Sequence, residues 1–298
     1  MRLSLAGMIV MLLNNLLGVN AMAQSDKGVN TGWTVLHSFK NAPFPDESRA
    51  NGHTYDGKFY STPEHYSDST VGIYIPAHFH PGKKINFVVH FHGWNNHVSN
   101  VFDRYELKRQ FDAAGLNAVL LVPEGPKDAP DSSGGRLERQ PDAFKLLVEE
   151  VFDFLKAGHR LGTANRIGGI TLTAHSGGYN VVSAILKHGG LRQNVTDVVL
   201  FDASYGGLEG YVDWIAEGHG RRLLSIFTEH LAVRNYQLIT MLQSKGIPFQ
   251  TLMDGALTEE LLAPRKAIFI HTTEIEHDEI MQKRDYFTLF LKGVKSIN

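Results

Sequence analysis

In Ile170-Thr171-Leu172-Thr173-Ala174-His175-Ser176-Gly177-Gly178-Tyr179, a run of β-branched and apolar residues meets a cluster of small ones and then a segment of helical period. This reads as strand, tight turn, helix. Such a turn lifts one side chain to its apex. It needs small residues two positions before and two after that side chain, so that strand and helix can pass closely. Ala174 and Gly178 meet that need around Ser176.

Outward from this turn, short apolar runs alternate with segments of helical period. Seven runs read as strands: Val71 to Ile75, Ile85 to Phe91, Ala118 to Val122, Ile170 to Thr173, Val198 to Phe201, Leu223 to Phe227 and Ala267 to Ile270. Helices are expected at about Ser99 to Ala114, Gly177 to His188, Leu208 to Glu217, Ala232 to Ser244 and Asp278 to Leu291. A further helix is marked by Phe144, Leu147, Val148, Val151, Phe152 and Leu155, whose spacings of three and four leave Lys145, Glu149, Glu150 and Asp153 outward. The alternation predicts an α/β fold: a mostly parallel central sheet with helices on both faces.

Strand, elbow and helix together resemble the α/β-hydrolase superfamily over Thr70 to Leu291, although the usual motif has Gly where Ala174 stands. The resemblance implies Ser176 as nucleophile and the backbone N–H of Gly177 as one oxyanion donor. The second donor is expected from the loop after Ile85 to Phe91, which reads His92-Gly93-Trp94-Asn95-Asn96. There Gly93 lets a backbone N–H turn toward a reacting carbonyl, and the N–H of Trp94 is the candidate, its ring a possible wall of an acyl pocket. His90, His92 and His97 offer a rival, metal-binding reading, but the set lacks the further Asp or His ligands of a zinc hydrolase, so no metal or other cofactor is expected. His90 reads instead as a hydrogen-bonded core histidine.

The superfamily order is nucleophile, acid, histidine. His277, in the loop before the last helix, is favoured as base over His271, which abuts the last strand. Asp202 and Glu229 compete for the acid. Asp202 ends its strand abruptly among small neighbours, which suits a buried carboxylate, and is preferred. The loop Pro123 to Gly135 should border the pocket, its acids either contacting a polar substrate or simply solvated.

The expected reaction is cleavage of a carboxylic ester through an acyl-enzyme, with amidase or acyltransferase chemistry on the same residues as the alternative. A binding protein that kept the fold and lost the chemistry is the rival of a different class. The substrate is expected to be a small-molecule or cell-envelope acyl compound. With a net charge of −2, nucleic acid is not an expected partner. The chain has no cysteine, which excludes disulfides, thiolate catalysis and cysteine metal sites.

Residues 1–23 read as a signal peptide: Arg2, an apolar run from Leu3 to Val19, and the small-x-small triplet Ala21-Met22-Ala23. Asn14, Asn15 and Gly18 interrupt the run and argue against a permanent span. The mature protein is therefore expected to be secreted or periplasmic, with an N-terminal extension at 24–69 packed on a hydrolase domain at 70–298.

Overall fold

The computed structural model describes residues 32–218, 220–264 and 266–294. The expected signal peptide lies outside them. Eleven strands are formed among the described residues: β1 (Trp33–Ser38), β2 (His53–Tyr55), β3 (Lys58–Tyr60), β4 (Thr70–Ile75), β5 (Lys84–Phe91), β6 (Val119–Pro123), β7 (Arg166–His175), β8 (Val195–Phe201), β9 (Arg222–Phe227), β10 (Phe249–Met253) and β11 (Ala267–His271). Nine of them make one sheet in the order β1-β4-β6-β5-β7-β8-β9-β11-β10, while β2 and β3 form a separate hairpin. Only β4 runs against the rest of the large sheet.

The apolar runs lack alternation because both faces of the sheet are covered. In β8, Val198 and Leu200 enter one core while Val199 and Phe201 enter the other. The helices are α1 (Thr62–His65), α2 (Val98–Arg104), α3 (Leu107–Ala114), α4 (Gly135–Arg139), α5 (Ala143–Ala157), α6 (Tyr179–His188), α7 (Leu208–Ala216), α8 (Ala232–Ser244), α9 (Glu259–Leu262) and α10 (Tyr286–Lys292). Helices α5 to α8 pack on the first face, and α2, α3 and α10 on the second. In α5 the expected stripe of Phe144, Leu147, Val148, Val151, Phe152 and Leu155 is buried, each side chain stabilising the fold by roughly 1.5–3 kcal/mol. No helix among the described residues is long and apolar enough to cross a membrane.

Within the alternating sheet-and-helix region, three differences from expectation stand out. The helix expected over Ser99 to Ala114 is two helices, because Glu106 adopts a left-handed backbone (φ 47°) that an α-helix cannot pass through. The last helix starts at Tyr286 rather than Asp278, since Arg284 and Asp285 are also left-handed (φ 59° and 46°). Strand β10 was not expected at all: it is an edge strand whose side chains are half-buried or exposed, so it shows no apolar run.

At the end of the sheet opposite the strands' carboxyl termini, Arg222 and Asp197 are fully buried and paired at 2.8 Å. Two further guanidinium N–H groups donate to the carbonyls of Leu262 (2.7 Å) and Phe290 (2.9 Å), tying α9 and α10 to the sheet. Residues 32–69 wrap the other end. Strand β1 extends the sheet at β4, and Arg49 grips Asp131 through two bonds of 2.6 and 2.9 Å.

Candidate active site

Every candidate residue that the structure brings together lies just beyond the carboxyl end of a strand, where an open α/β sheet leaves its crevice. Ser176 follows β7 with φ 51°, a left-handed conformation that a non-glycine residue holds only under constraint. The constraint is packing: a Cβ on Gly178 would collide with the Phe91 carbonyl oxygen, and Ala174 is fully buried. Helix α6 starts immediately after, so the Ser176 side chain stands at the apex of a sharp strand-to-helix turn.

His277 opens the turn after β11, and its Nε2 lies 2.9 Å from Ser176 Oγ. On the other side of the ring, Nδ1 lies 2.7 Å from Asp202 Oδ2. A carboxylate only accepts, so Nδ1 carries the proton and Nε2 is left to accept from the serine. Asp202 is buried at the end of β8, itself left-handed at φ 46°. Thr228, at the end of neighbouring β9, donates its N–H to Oδ1 at 2.9 Å and its O–H to Oδ2 at 2.8 Å. Burial alone would raise the Asp202 carboxyl, but the bonds from His277 and Thr228 outweigh it and hold the group below the ordinary aspartate value.

His175 lies under this arrangement. Its ring stacks on His277 with centroids 5.0 Å apart, and burial pushes it down to about 4, so at neutral pH it is an uncharged platform. Beside the acid, His230 Nδ1 lies 2.7 Å from Thr228 Oγ1, and its Nε2 accepts from the Tyr205 hydroxyl at 2.8 Å. Burial and the nearby Asp202 charge raise the Tyr205 phenol to about 12, so it stays a donor.

Gly93 faces the serine directly: a Cβ there would stand 2.6 Å from Ser176 Cβ and 3.2 Å from Ser176 Oγ. Trp94 lies against Gly177, its indole N–H donating to Ser132 Oγ at 2.8 Å, and the residue is 40 % exposed. Tyr55 on the β2–β3 hairpin meets it edge-on at 5.1 Å.

Behind this loop is a buried pair that the sequence reading divided between two ideas. His92 Nδ1 donates to the Gly93 carbonyl at 2.8 Å, and Nε2 lies 3.0 Å from Glu124 Oε1. The Gly125 N–H also points at Nε2, at 3.0 Å, which a neutral ring would accept. The carboxylate on one nitrogen and the carbonyl on the other favour the doubly protonated ring. Burial lowers the His92 pKa, but the bond and charge of Glu124 more than reverse this, leaving it above the ordinary value. The other carboxylate oxygen, Oε2, takes the Val98 N–H at 3.1 Å.

The remaining candidates go elsewhere. His90 bonds Thr173 Oγ1 at 2.8 Å and His97 bonds Asp128 at 2.8 Å, so His90, His92 and His97 turn to three different partners. His271 is the last residue of β11. It stacks on Phe227 and sits 3.2 Å from the largely exposed Glu229, so the two alternatives for base and acid pair with each other and not with Ser176. The acids of the Pro123 to Gly135 loop are not free for a polar substrate: Glu124 and Asp131 are buried against His92 and Arg49, and Asp128 holds His97. Sequence reasoning missed Thr228, Tyr205, His230, His175 and the pairing of His92 with Glu124. The one available signal was position, since Thr228 and Tyr205 each follow a predicted strand closely.

No protein-family model matches this sequence, and no curated protein matches it. Solved structures do. The chain is similar to the feruloyl esterase module from Clostridium thermocellum at a TM-score of 0.54 and 12% identity, over 92% of this chain and 93% of that one. It is similar to an S-formylglutathione hydrolase from Agrobacterium tumefaciens at 0.51 and 14%, over 93% and 99% of the two chains. A fluorophosphonate-binding serine hydrolase from Staphylococcus aureus gives 0.50 and 11%, over 88% and 99%. At these identities the likeness is one of fold, and together with the sheet order it identifies the architecture: this chain has the α/β-hydrolase fold.

Proposed function

We propose that the chain is a serine hydrolase that cleaves a carboxylic ester, or a related acyl bond, through Ser176, His277 and Asp202. The observation that carries this reading is the unbroken line of bonds from Asp202 Oδ2 through His277 to Ser176 Oγ, at 2.7 and 2.9 Å, with the serine held at φ 51°. Nothing in a merely structural turn requires that line, and all three parts are what nucleophilic acyl transfer needs. The fold's occurrence in a feruloyl esterase and an S-formylglutathione hydrolase is consistent with it.

In this reading His277 Nε2 takes the Ser176 proton as Oγ adds to the substrate carbonyl, and Asp202, remaining ionised, stabilises the imidazolium. The oxyanion meets the N–H groups of Gly177 and Trp94. The His92–Glu124 pair acts through the second of these. In a trans peptide the carbonyl and the N–H point opposite ways, so a charged His92 that holds the Gly93 carbonyl inward turns the Trp94 N–H outward. His277 then returns the proton to the departing alcohol, and a water activated by the same ring releases the acid. An ester is the first choice of bond because its leaving group asks least of the acid step. Reaction with a fluorophosphonate probe, abolished by Ser176→Ala, tests the reading.

A further inference from the structure

His230 brings a second imidazole to the acid. Its Nδ1 stands 3.4 Å from Asp202 Oδ2, the atom that His277 Nδ1 approaches at 2.7 Å. One nitrogen from each ring and one carboxylate oxygen all fall within 4.8 Å of one another. Zinc bound at about 2.0–2.1 Å to three tetrahedral ligands spaces them by roughly 3.3 Å, so small movements of the two rings would suffice. Access is open from solvent, with the His230 and His277 side chains 46% and 27% exposed.

A second observation is independent of those distances. Ligating histidines ordinarily donate their other ring N–H to an acceptor, and ligating carboxylates are held by hydrogen bonds. Here each such partner is in place: the Tyr205 oxygen lies 2.8 Å from His230 Nε2, Ser176 Oγ lies 2.9 Å from His277 Nε2, and Thr228 N–H holds the other oxygen of Asp202 at 2.9 Å. A His-His-carboxylate set with an open fourth position suits zinc and similar transition ions, and does not suit magnesium or calcium.

We propose that Asp202, His230 and His277 form a binding site for a divalent transition-metal ion such as Zn2+, and that its occupation switches the hydrolase off. The binding claim stands alone, whereas the inhibition rests on the proposed function. The chemistry is a change of tautomer. With the metal on Nδ1 of both His277 and His230, the single proton of each neutral ring moves through solvent to Nε2, and the Tyr205 hydroxyl, which had donated to His230, turns to accept from it. The His277 ring then presents a donor to Ser176 Oγ where the reaction needs an acceptor, and no proton is gained or lost overall. The Thr228 hydroxyl turns from Asp202 as the metal takes Oδ2.

The test is calorimetric titration of the full-length protein with ZnCl2 near neutral pH, using wild type, Ser176→Ala, His230→Ala and His230→Gln, with MgCl2 as control. One zinc per chain is expected in wild type and S176A, affinity at least ~10-fold weaker in both His230 variants, and no comparable magnesium binding. Zinc should also slow fluorophosphonate labelling of wild type, with recovery on adding EDTA. The His230 variants, which keep Ser176, His277 and Asp202, should label without this zinc sensitivity. Equal zinc affinity in wild type and both His230 variants would overturn the proposal, as would magnesium binding as tightly as zinc. If wild type does not label even without metal, the proposed function fails, while the S176A and His230 titrations still decide the metal site.

Discussion

Replacing Gly93 by alanine should cripple the reaction while leaving the fold in place. The added Cβ would stand 2.6 Å from Ser176 Cβ, 3.1 Å from the His175 carbonyl oxygen and 3.2 Å from Ser176 Oγ. Ordinary contact begins near 3.4 Å, so the loop and the elbow must separate by about 0.8 Å. None of the close atoms can rotate away except Oγ, because the others belong to the backbone or to the first side-chain carbon of a constrained turn. A displacement of that size takes the Trp94 N–H out of hydrogen-bond range of the oxyanion, and loss of one such donor costs roughly 10²–10³ in kcat. The assay is turnover of p-nitrophenyl acetate by wild type and Gly93→Ala, with thermal unfolding followed by circular dichroism to check folding. Turnover of the folded variant within about 3-fold of wild type would refute the placement of the oxyanion loop.

Asp202→Asn should lower kcat by about 10⁴, because an amide can place its N–H toward His277 and reverse the ring's tautomer. Glu229→Gln and His271→Gln, whose side chains pair with each other and not with Ser176, should stay within about 3-fold; a large loss in either would reassign the acid or the base. His92 has a folded-state pKa raised above 6.5, so its contribution to stability is complete below that value and fades as pH rises through the raised one. Urea unfolding across that range should show wild type losing stability toward alkaline pH and His92→Gln losing less. Arg222→Met should destabilise the protein by about 3–5 kcal/mol in the same experiment, since Asp197 stays buried without its cation. An unchanged midpoint would mean that the pair contributes nothing.

The fold was legible where burial imposed a pattern. Strands β4 to β9 and β11 are covered on both faces and announce themselves as apolar runs, and α5 shows its stripe because one side meets the sheet. Edge strand β10 carries Gln250 and Thr251 among half-exposed neighbours, and a strand with one partner and little burial has no composition to betray it. Helix ends failed at Glu106, Arg284 and Asp285, whose left-handed backbones residue type does not disclose.

The site divides the same way. The strand-to-helix turn at Ser176 was legible because it is local, and the choice of Asp202 and His277 as its candidate partners followed chain order and strand ends. The structure places His277 Nε2 2.9 Å from Ser176 Oγ and its Nδ1 2.7 Å from Asp202 Oδ2. Residues whose roles depend on contacts across the chain were not legible. His92 and Glu124 are 32 positions apart and meet only because β5 and β6 are neighbours in the sheet. Thr228 reaches Asp202 because β9 lies beside β8, and His230 follows it. The acids after β6 read as either substrate-contacting or solvated because sequence does not show that Arg49, far upstream, and His92 already hold two of them.

The most direct test of the central claim is covalent labelling of the purified wild-type protein with a fluorophosphonate probe beside folded Ser176→Ala, followed by mass mapping of the modified peptide. The account predicts one label per wild-type chain, located on Ser176, and none on the variant. A folded wild-type protein that takes no label, or a Ser176→Ala variant that takes as much, would show that Ser176 is not an activated nucleophile.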